Sequence, residues 1–404
     1  MTAISTRSDR ADNFRLRNRW GILAVLFLVR LAMPLQFQSV GAVAPLLGAN
    51  FGMSLADIGL LIGLYFTPGV ALALLGGGLG QRLGDKQTVF AGLMLMLIGE
   101  LAMALSPSAW GLQVAGRLIS GAGGVLLTVQ MTKMVTDWFA GREIATAMAI
   151  YINSWPIGLG LSLLIVPVIG TTLGVATAYV AVAALIGTAI PLLLIFYRSP
   201  ETASGAAGKA DQLDRRTILS VVLAGLIWGL YSVGPATIFS FGPTLLVERG
   251  WSVATAASTI SIILWVSIPF VPLAGYLADR LKRSQTVFIA GGCFAFAAMT
   301  AALAHASAVP FIIVGLAVVI GLPAGSIMSL PSRVLAPSTR AIGMGIFFTI
   351  YYIAMMLGPV IGGACAKWTG SAAAALDFGA VALLACPLLL WMFNHIGAQG
   401  RKPA

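Results

Sequence analysis

Apolar stretches of more than 20 residues recur along this chain from Trp20 to Asn394. A helix needs about 20 such residues to cross the hydrocarbon core of a bilayer, whose thickness is ~30 Å. Inside that core an unpaired backbone N–H or C=O costs several kcal/mol, which restricts spanning segments to helices and closed barrels. Runs this long suit helices. Composition agrees, with 59% of the 404 residues hydrophobic and 9% charged, against about 25% charged in an average soluble domain.

Breaks at Gly, Pro, Asn and charged clusters divide the chain into twelve predicted helices. They run at 20–47, 54–80, 88–106, 109–135, 143–170, 175–197, 217–247, 252–278, 285–304, 309–330, 340–366 and 372–394. An even number puts both termini on one side. With that topology, 20 of the 24 Lys and Arg residues fall on the side of the termini. Arg249 and Lys367 fall on the other side, and Arg30 and Arg117 fall inside helices. The positive-inside rule then makes both termini cytoplasmic, as in a bacterial inner membrane. The domain reading is a cytoplasmic tail at 1–19, a six-helix half at 20–197, a polar linker at 198–216, a second half at 217–394 and a tail at 395–404. The first tail is expected to be poorly ordered.

The net charge of +11 would suit a nucleic-acid partner if it were gathered on one soluble module. Here the basic residues are scattered through short loops, so no nucleic acid is expected. Cys293, Cys365 and Cys386 sit in apolar segments without metal-ligand spacing, which makes packing the better reading and leaves no metal site. The Gly runs, such as Gly76-Gly77-Gly78, lack the Gly-Lys-Ser/Thr of a phosphate loop, so neither ATP hydrolysis nor another cofactor is indicated.

The chain also repeats itself. A shift of 198 residues, without a gap, lays Pro45 on Pro243, Gly52 on Gly250, Ser54 on Ser252, Gly77 on Gly275 and Arg82 on Arg280. The register continues with Gln87-Thr88-Val89-Phe90 on Gln285-Thr286-Val287-Phe288, Arg142 on Arg340 and Gly160 on Gly358. Helices 1–6 and 7–12 therefore form two parallel repeats, an arrangement that puts a site near the midplane between halves able to rock about it.

Gly275-Tyr276-Leu277-Ala278-Asp279-Arg280 with Arg283 resembles the G-x-L-A-D-R-x-G-R-K loop of the major facilitator superfamily. The first-half copy keeps Gly77, Leu79, Arg82, Gly84 and Lys86, and departs at Gln81 and Asp85. Arg117-Leu118-Ile119-Ser120-Gly121-Ala122-Gly123 is similar to that superfamily's helix 4 pattern. Ser39-Val40-Gly41, Pro45-Leu46-Leu47 and Gly52-Met53-Ser54 look like the cyanate and nitroimidazole permease group within it. The resemblance implies an all-α membrane protein of twelve helices, with helix 1 lining a central cavity. It further implies a cytoplasmic gate in which Arg82 meets Asp137 at the end of helix 4, with Asp279 and Arg280 serving the other half.

Several polar residues lie deep in apolar helices. Arg30 sits ten residues after Trp20, about 15 Å into helix 1, where an Arg costs at least ~2.5 kcal/mol. A guanidinium there suits a carboxylate or another planar anion through paired hydrogen bonds, and it also suits backbone carbonyls of a neighbouring helix. Glu100 and Arg117 come to similar depth on helices 3 and 4 and are expected to pair, as a coupling or a structural pair. Asn153, Trp155, Trp228, Tyr231, Trp265, Tyr351 and Tyr352 are candidate cavity groups, since Tyr and Trp join an apolar body to a hydrogen-bond donor. Most aromatic residues of a membrane protein serve packing or the interface, so two or three of these seven are expected to touch a substrate.

The leading expectation is a secondary or facilitative transporter of a small, organic anion, working by alternating access with Arg30 at its site, as a monomer in the lipid bilayer. An exporter of apolar drugs is the alternative within transport, and a membrane sensor is the alternative outside it. An enzyme would need a clustered constellation, and the two histidines, His305 and His395, lie near opposite membrane faces.

Overall fold

The computed structural model describes residues 5–72, 84–139, 143–197, 213–280, 285–335 and 339–398. Among them twelve helices are long and apolar enough to cross a membrane. These are α1 (Arg19–Ala42), α2 (Leu55–Leu72), α3 (Asp85–Leu105), α4 (Trp110–Phe139), α5 (Thr146–Leu173) and α6 (Val175–Phe196) in the first half. The second half holds α7 (Arg215–Glu248), α8 (Val253–Phe270), α9 (Thr286–His305), α10 (Val309–Arg333), α11 (Ile342–Thr369) and α12 (Ala373–Ile396). Large apolar side chains such as Leu105, Phe311, Leu388 and Trp391 are exposed on the outside of the bundle, where a bilayer would cover them.

α1 and α10 differ from their predicted course. The helical backbone that becomes α1 starts at Ser5, not near Trp20, because the Arg-rich segment holds no Gly or Pro before Gly21 to stop it. α1 ends at Ala42, and a separate helix, Ala44–Phe51, follows with Pro in its first turn. α10 was predicted continuous, yet it breaks after Val319 into Ala324–Met328 and a 3₁₀ turn, Leu330–Arg333. Pro323 causes this break, since it offers no N–H to the Val319 carbonyl and Gly321 adds freedom beside it. Of the predicted linker, residues 198–212 lie outside the described residues.

The repeated residues do the same local work in each half. Gly52 turns the chain at φ +68° before α2, and Gly250 turns it at φ +88° before α8. Ser54 Oγ then accepts from the Asp57 N–H at 3.3 Å, while Ser252 Oγ accepts from the Thr255 N–H at 3.2 Å. Each serine satisfies a backbone donor that the first turn of its helix leaves open.

Within the first half α3 packs on α4 and α6, and α1 packs on α5 and α6. In the second half α7 packs on α11 and α12, and α9 on α12. The halves meet where α2 lies on α11 and α5 lies on α8, contacts that the repeat exchanges, and where α1 meets α7. The α2–α11 seam is backbone against backbone. A Cβ at Gly59 would strike the Pro359 carbonyl, one at Gly63 the Met356 carbonyl, and one at Gly363 the Leu55 carbonyl. Beside it Gln38 Nε2 of α1 donates to the Phe239 carbonyl of α7 at 2.6 Å, and Gly41 rests against Ser240. The α2–α11 seam runs from Leu55 against Gly363, through Gly63 against Met356, to Gly69 against the Tyr352 ring, along most of α2.

Small residues let membrane helices approach closely where dispersion contacts replace a hydrophobic driving force. Gly63→Val should therefore overpack the seam and cost about 1–3 kcal/mol, seen as a lowered melting temperature of the purified protein. Gly187→Val on α6, where the added side chain meets open space, serves as the control and should melt like the parent. Equal melting of both variants would show that the seam does not hold the halves.

Candidate functional site

The site grows from two interrupted helices. Pro34 inside α1 has no N–H for the carbonyl of Arg30, one turn earlier. In α5, Pro156 likewise lacks a donor, and the helix Ile144–Ile152 gives way at Asn153 to a second one, Ser154–Leu173. The break turns the Tyr151 carbonyl toward side chains. It accepts from Ser154 Oγ at 2.6 Å and from Arg30 Nη1 at 2.9 Å. The Arg30 guanidinium carbon lies over the Tyr151 ring, 4.1 Å from its centroid, a spacing at which cation–π attraction operates.

Arg30 is 8% exposed, and its Nε is buried without a partner. Across the seam, the Tyr351 and Tyr352 phenols of α11 lie within electrostatic reach of its charge. The Tyr151 carbonyl and ring that Arg30 contacts belong to its own half, and part of its donor capacity is unspent.

A series of ring contacts runs from this point across both halves. Trp155 of α5 stacks on Phe37 of α1 at 5.8 Å, and Phe37 meets Phe66 of α2 at 4.9 Å. Phe66 meets Tyr351 at 6.3 Å and Tyr352 at 6.2 Å. Tyr351 meets Trp228 of α7 at 6.3 Å, and Trp228 stacks on Tyr231 at 5.4 Å. Tyr231 in turn donates its hydroxyl to the Ile320 carbonyl, a group left open by the break in α10. Trp155, Trp228 and Tyr351 are half-buried, whereas Phe37, Phe66, Tyr231 and Tyr352 are buried.

Five of the seven predicted cavity groups thus join one aromatic series. Asn153 forms the turn inside α5 and is half-buried. Trp265 stands against Gly160 on the α5–α8 seam, with its indole N–H buried and unpartnered, outside the series. Tyr151, Phe37 and Phe66 were missed. Pro156 was the available sign for Tyr151, and the flanking Gln36 and Gln38 for Phe37, whereas Phe66 beside Thr67 and Pro68 carried no sign of its ring contacts.

Glu100 and Arg117 are not directly bonded. Arg117 donates from Nε to the Leu61 carbonyl at 2.9 Å, from Nη1 to Gln36 at 3.2 Å and from Nη2 to Phe37 at 3.0 Å. It also lies over the Tyr65 ring at 4.7 Å. Both Glu100 oxygens are buried with no hydrogen-bond partner. The guanidinium thus binds carbonyls of α1 and α2, with the Glu100 carboxylate nearby but not hydrogen-bonded to it. Gln36 joins the same cluster, donating to the Met96 carbonyl at 2.7 Å and to Ser120 Oγ at 2.9 Å.

At the end of the termini, Asp137 pairs with Lys133 at 3.1 Å, and Lys133 also pairs with Asp85 at 2.8 Å. Asp85 occupies the loop position where the resemblance calls for Arg, so its acid captures Lys133. Arg82 lies outside the described residues; Asp279 and Arg280 close the helix Val253–Arg280, and their side chains are not described. Lys86 caps α6, donating to the Leu194 carbonyl at 2.8 Å and to Tyr197 at 3.1 Å.

A family model of the Major Facilitator Superfamily matches residues 26–337. The chain belongs to the major facilitator superfamily. Among its relatives, the zebrafish lysosomal dipeptide transporter MFSD1 is 26% identical over 58% of this chain, a match that spans 56% of MFSD1. The hexuronate transporter of Bacillus subtilis is 24% identical over 66% of each chain. In fold, the crystal structure of a bacterial homolog of the human lysosomal transporter Spinster, inward-facing and occupied, superposes with a TM-score of 0.72 at 16% identity, covering 96% of this chain and 99% of that one. This major facilitator protein is accordingly a transporter and not an enzyme.

The two buried ionisable groups should respond differently to substitution. Arg117→Leu strips the donor from three carbonyls and should cost about 3 kcal/mol or more. Glu100→Gln removes no hydrogen bond and should melt within about 1 kcal/mol of the parent. Melting of the purified variants in detergent measures both; a larger loss for Glu100→Gln would mean that its charge is needed by Arg117.

Proposed function

We propose that the chain is a secondary transporter that carries a small organic anion by alternating access, with Arg30 at the centre of its site. One observation supports this most. Arg30 lies at mid-depth in α1 with a buried, unpartnered Nε, whereas Arg117 spends all its guanidinium nitrogens on carbonyls. A carboxylate can take donors from a guanidinium that a neutral or cationic solute cannot use. A hexuronate and a dipeptide, named for two relatives, both carry a carboxylate. The aromatic series supports the runner-up, an exporter of apolar solutes, which would bind without regard to Arg30.

With 20 of 24 basic residues on the side of the termini, that side is cytoplasmic in this reading and the host membrane a bacterial inner membrane. Arg82 meets Asp137 when the cytoplasmic end closes, displacing Lys133. All the groups of the site come from one chain, so a monomer suffices.

The test is uptake of radiolabelled organic acids into liposomes holding the purified protein. Arg30→Gln should lower carboxylate uptake about ten-fold or more, as loss of a charge-assisted bond implies, and Arg30→Lys should retain part of it. Uptake of carboxylates undiminished in Arg30→Gln would refute the reading, and Arg30-independent transport of apolar solutes would establish the runner-up.

A further inference from the structure

Charge and ring inventory around Arg30 narrow the solute further, on the footing that Arg30 binds an anion as proposed above. Two cations reach mid-depth in the bundle, and Arg117 is occupied and fully buried within the first half. One cation therefore serves the space between the halves. The chain places a single carboxylate at that depth, Glu100, and it lies in the first half beside Arg117, Gln36 and Ser39. Among the described residues no other acid lies at that depth for an ammonium group. The half-buried rings of the aromatic series are Trp155 of α5, Trp228 of α7 and Tyr351 of α11, each in contact with a buried ring, Phe37, Tyr231 and Tyr352 in turn.

We infer that this site selects an aromatic monocarboxylate: one negative charge for Arg30, no positive charge, and a flat ring for the Trp155, Trp228 and Tyr351 faces. A second carboxylate would be desolvated among aromatic rings without a partner, and buried unpaired charge is among the costliest of placements. An ammonium beside the carboxylate would meet Arg30 without a counter-charge. A saturated ring of equal size would fit by area yet forgo the stacking geometry that favours ring on ring.

Four probes separate these demands: phenylacetate, cyclohexylacetate, 1,4-phenylenediacetate and phenylalanine. Binding to the full-length purified protein in detergent is read by calorimetry and by tryptophan fluorescence. Phenylacetate should bind, cyclohexylacetate about three-fold or more weakly, and the dianion and the amino acid about ten-fold or more weakly. Trp228→Leu should bring the phenylacetate and cyclohexylacetate affinities together, while Trp228→Phe, which keeps a ring and the packing on Tyr231, should preserve their ratio. Equal affinity for the saturated acid, tighter binding of the dianion or of phenylalanine, or failure of phenylacetate to bind while another acid does, would overturn the aromatic class and leave the Arg30 anion site standing. Carboxylate binding of every kind unchanged in Arg30→Gln would overturn both.

Discussion

A backbone group without a hydrogen bond inside hydrocarbon costs several kcal/mol, and this constraint organises the whole molecule. It makes the chain helical wherever it faces lipid. It also fixes where helices can break, since a freed carbonyl must find a donor from the protein. The breaks in α5 and α10 fall within their spans, and side chains meet the carbonyls near them: Arg30 and Ser154 at Tyr151, Tyr231 at Ile320. Arg117 meets three more, on α1 and α2. Irregular backbone in a membrane is thus confined to the places where it is paired, and those places surround the site.

The same rule accounts for the division of labour between the two buried arginines. Arg117, with three carbonyls and the Tyr65 face, ties α4 to α1 and α2 and makes the first half one body. Arg30 has one carbonyl and one ring, both from its own half, and keeps a buried Nε without a partner. The glycine seam between α2 and α11 joins the halves by close backbone approach.

Helix number, order and duplication were legible from apolar length and from the 198-residue register, because in a membrane length and polarity decide what a segment can be. Gly52 with Ser54 and Gly250 with Ser252 kept their meaning, since caps and left-handed turns are local. The break in α10 was marked by Gly321 and Pro323, yet apolarity on both sides hid it. Arg30 announced itself by its cost, and Trp155, Trp228, Tyr231, Tyr351 and Tyr352 by their polar atoms in apolar runs.

What the sequence could not express was direction and partner. Arg117 and Glu100 share a depth, and depth suggested a pair, but the guanidinium found carbonyls of α1 and α2 that no spacing along α3 and α4 could reveal. Asp137 was matched by resemblance to Arg82, whereas Lys133, one turn away on its own helix, reaches it along with Asp85. Phe37 and Phe66 complete the aromatic series only because α1 turns Phe37 toward Trp155 and Phe66, and α2 turns Phe66 toward α11. Length, polarity and local caps are properties of a segment and survive in one dimension; which face a helix shows its neighbour is set by packing six helices against six, and only the tertiary structure decides it.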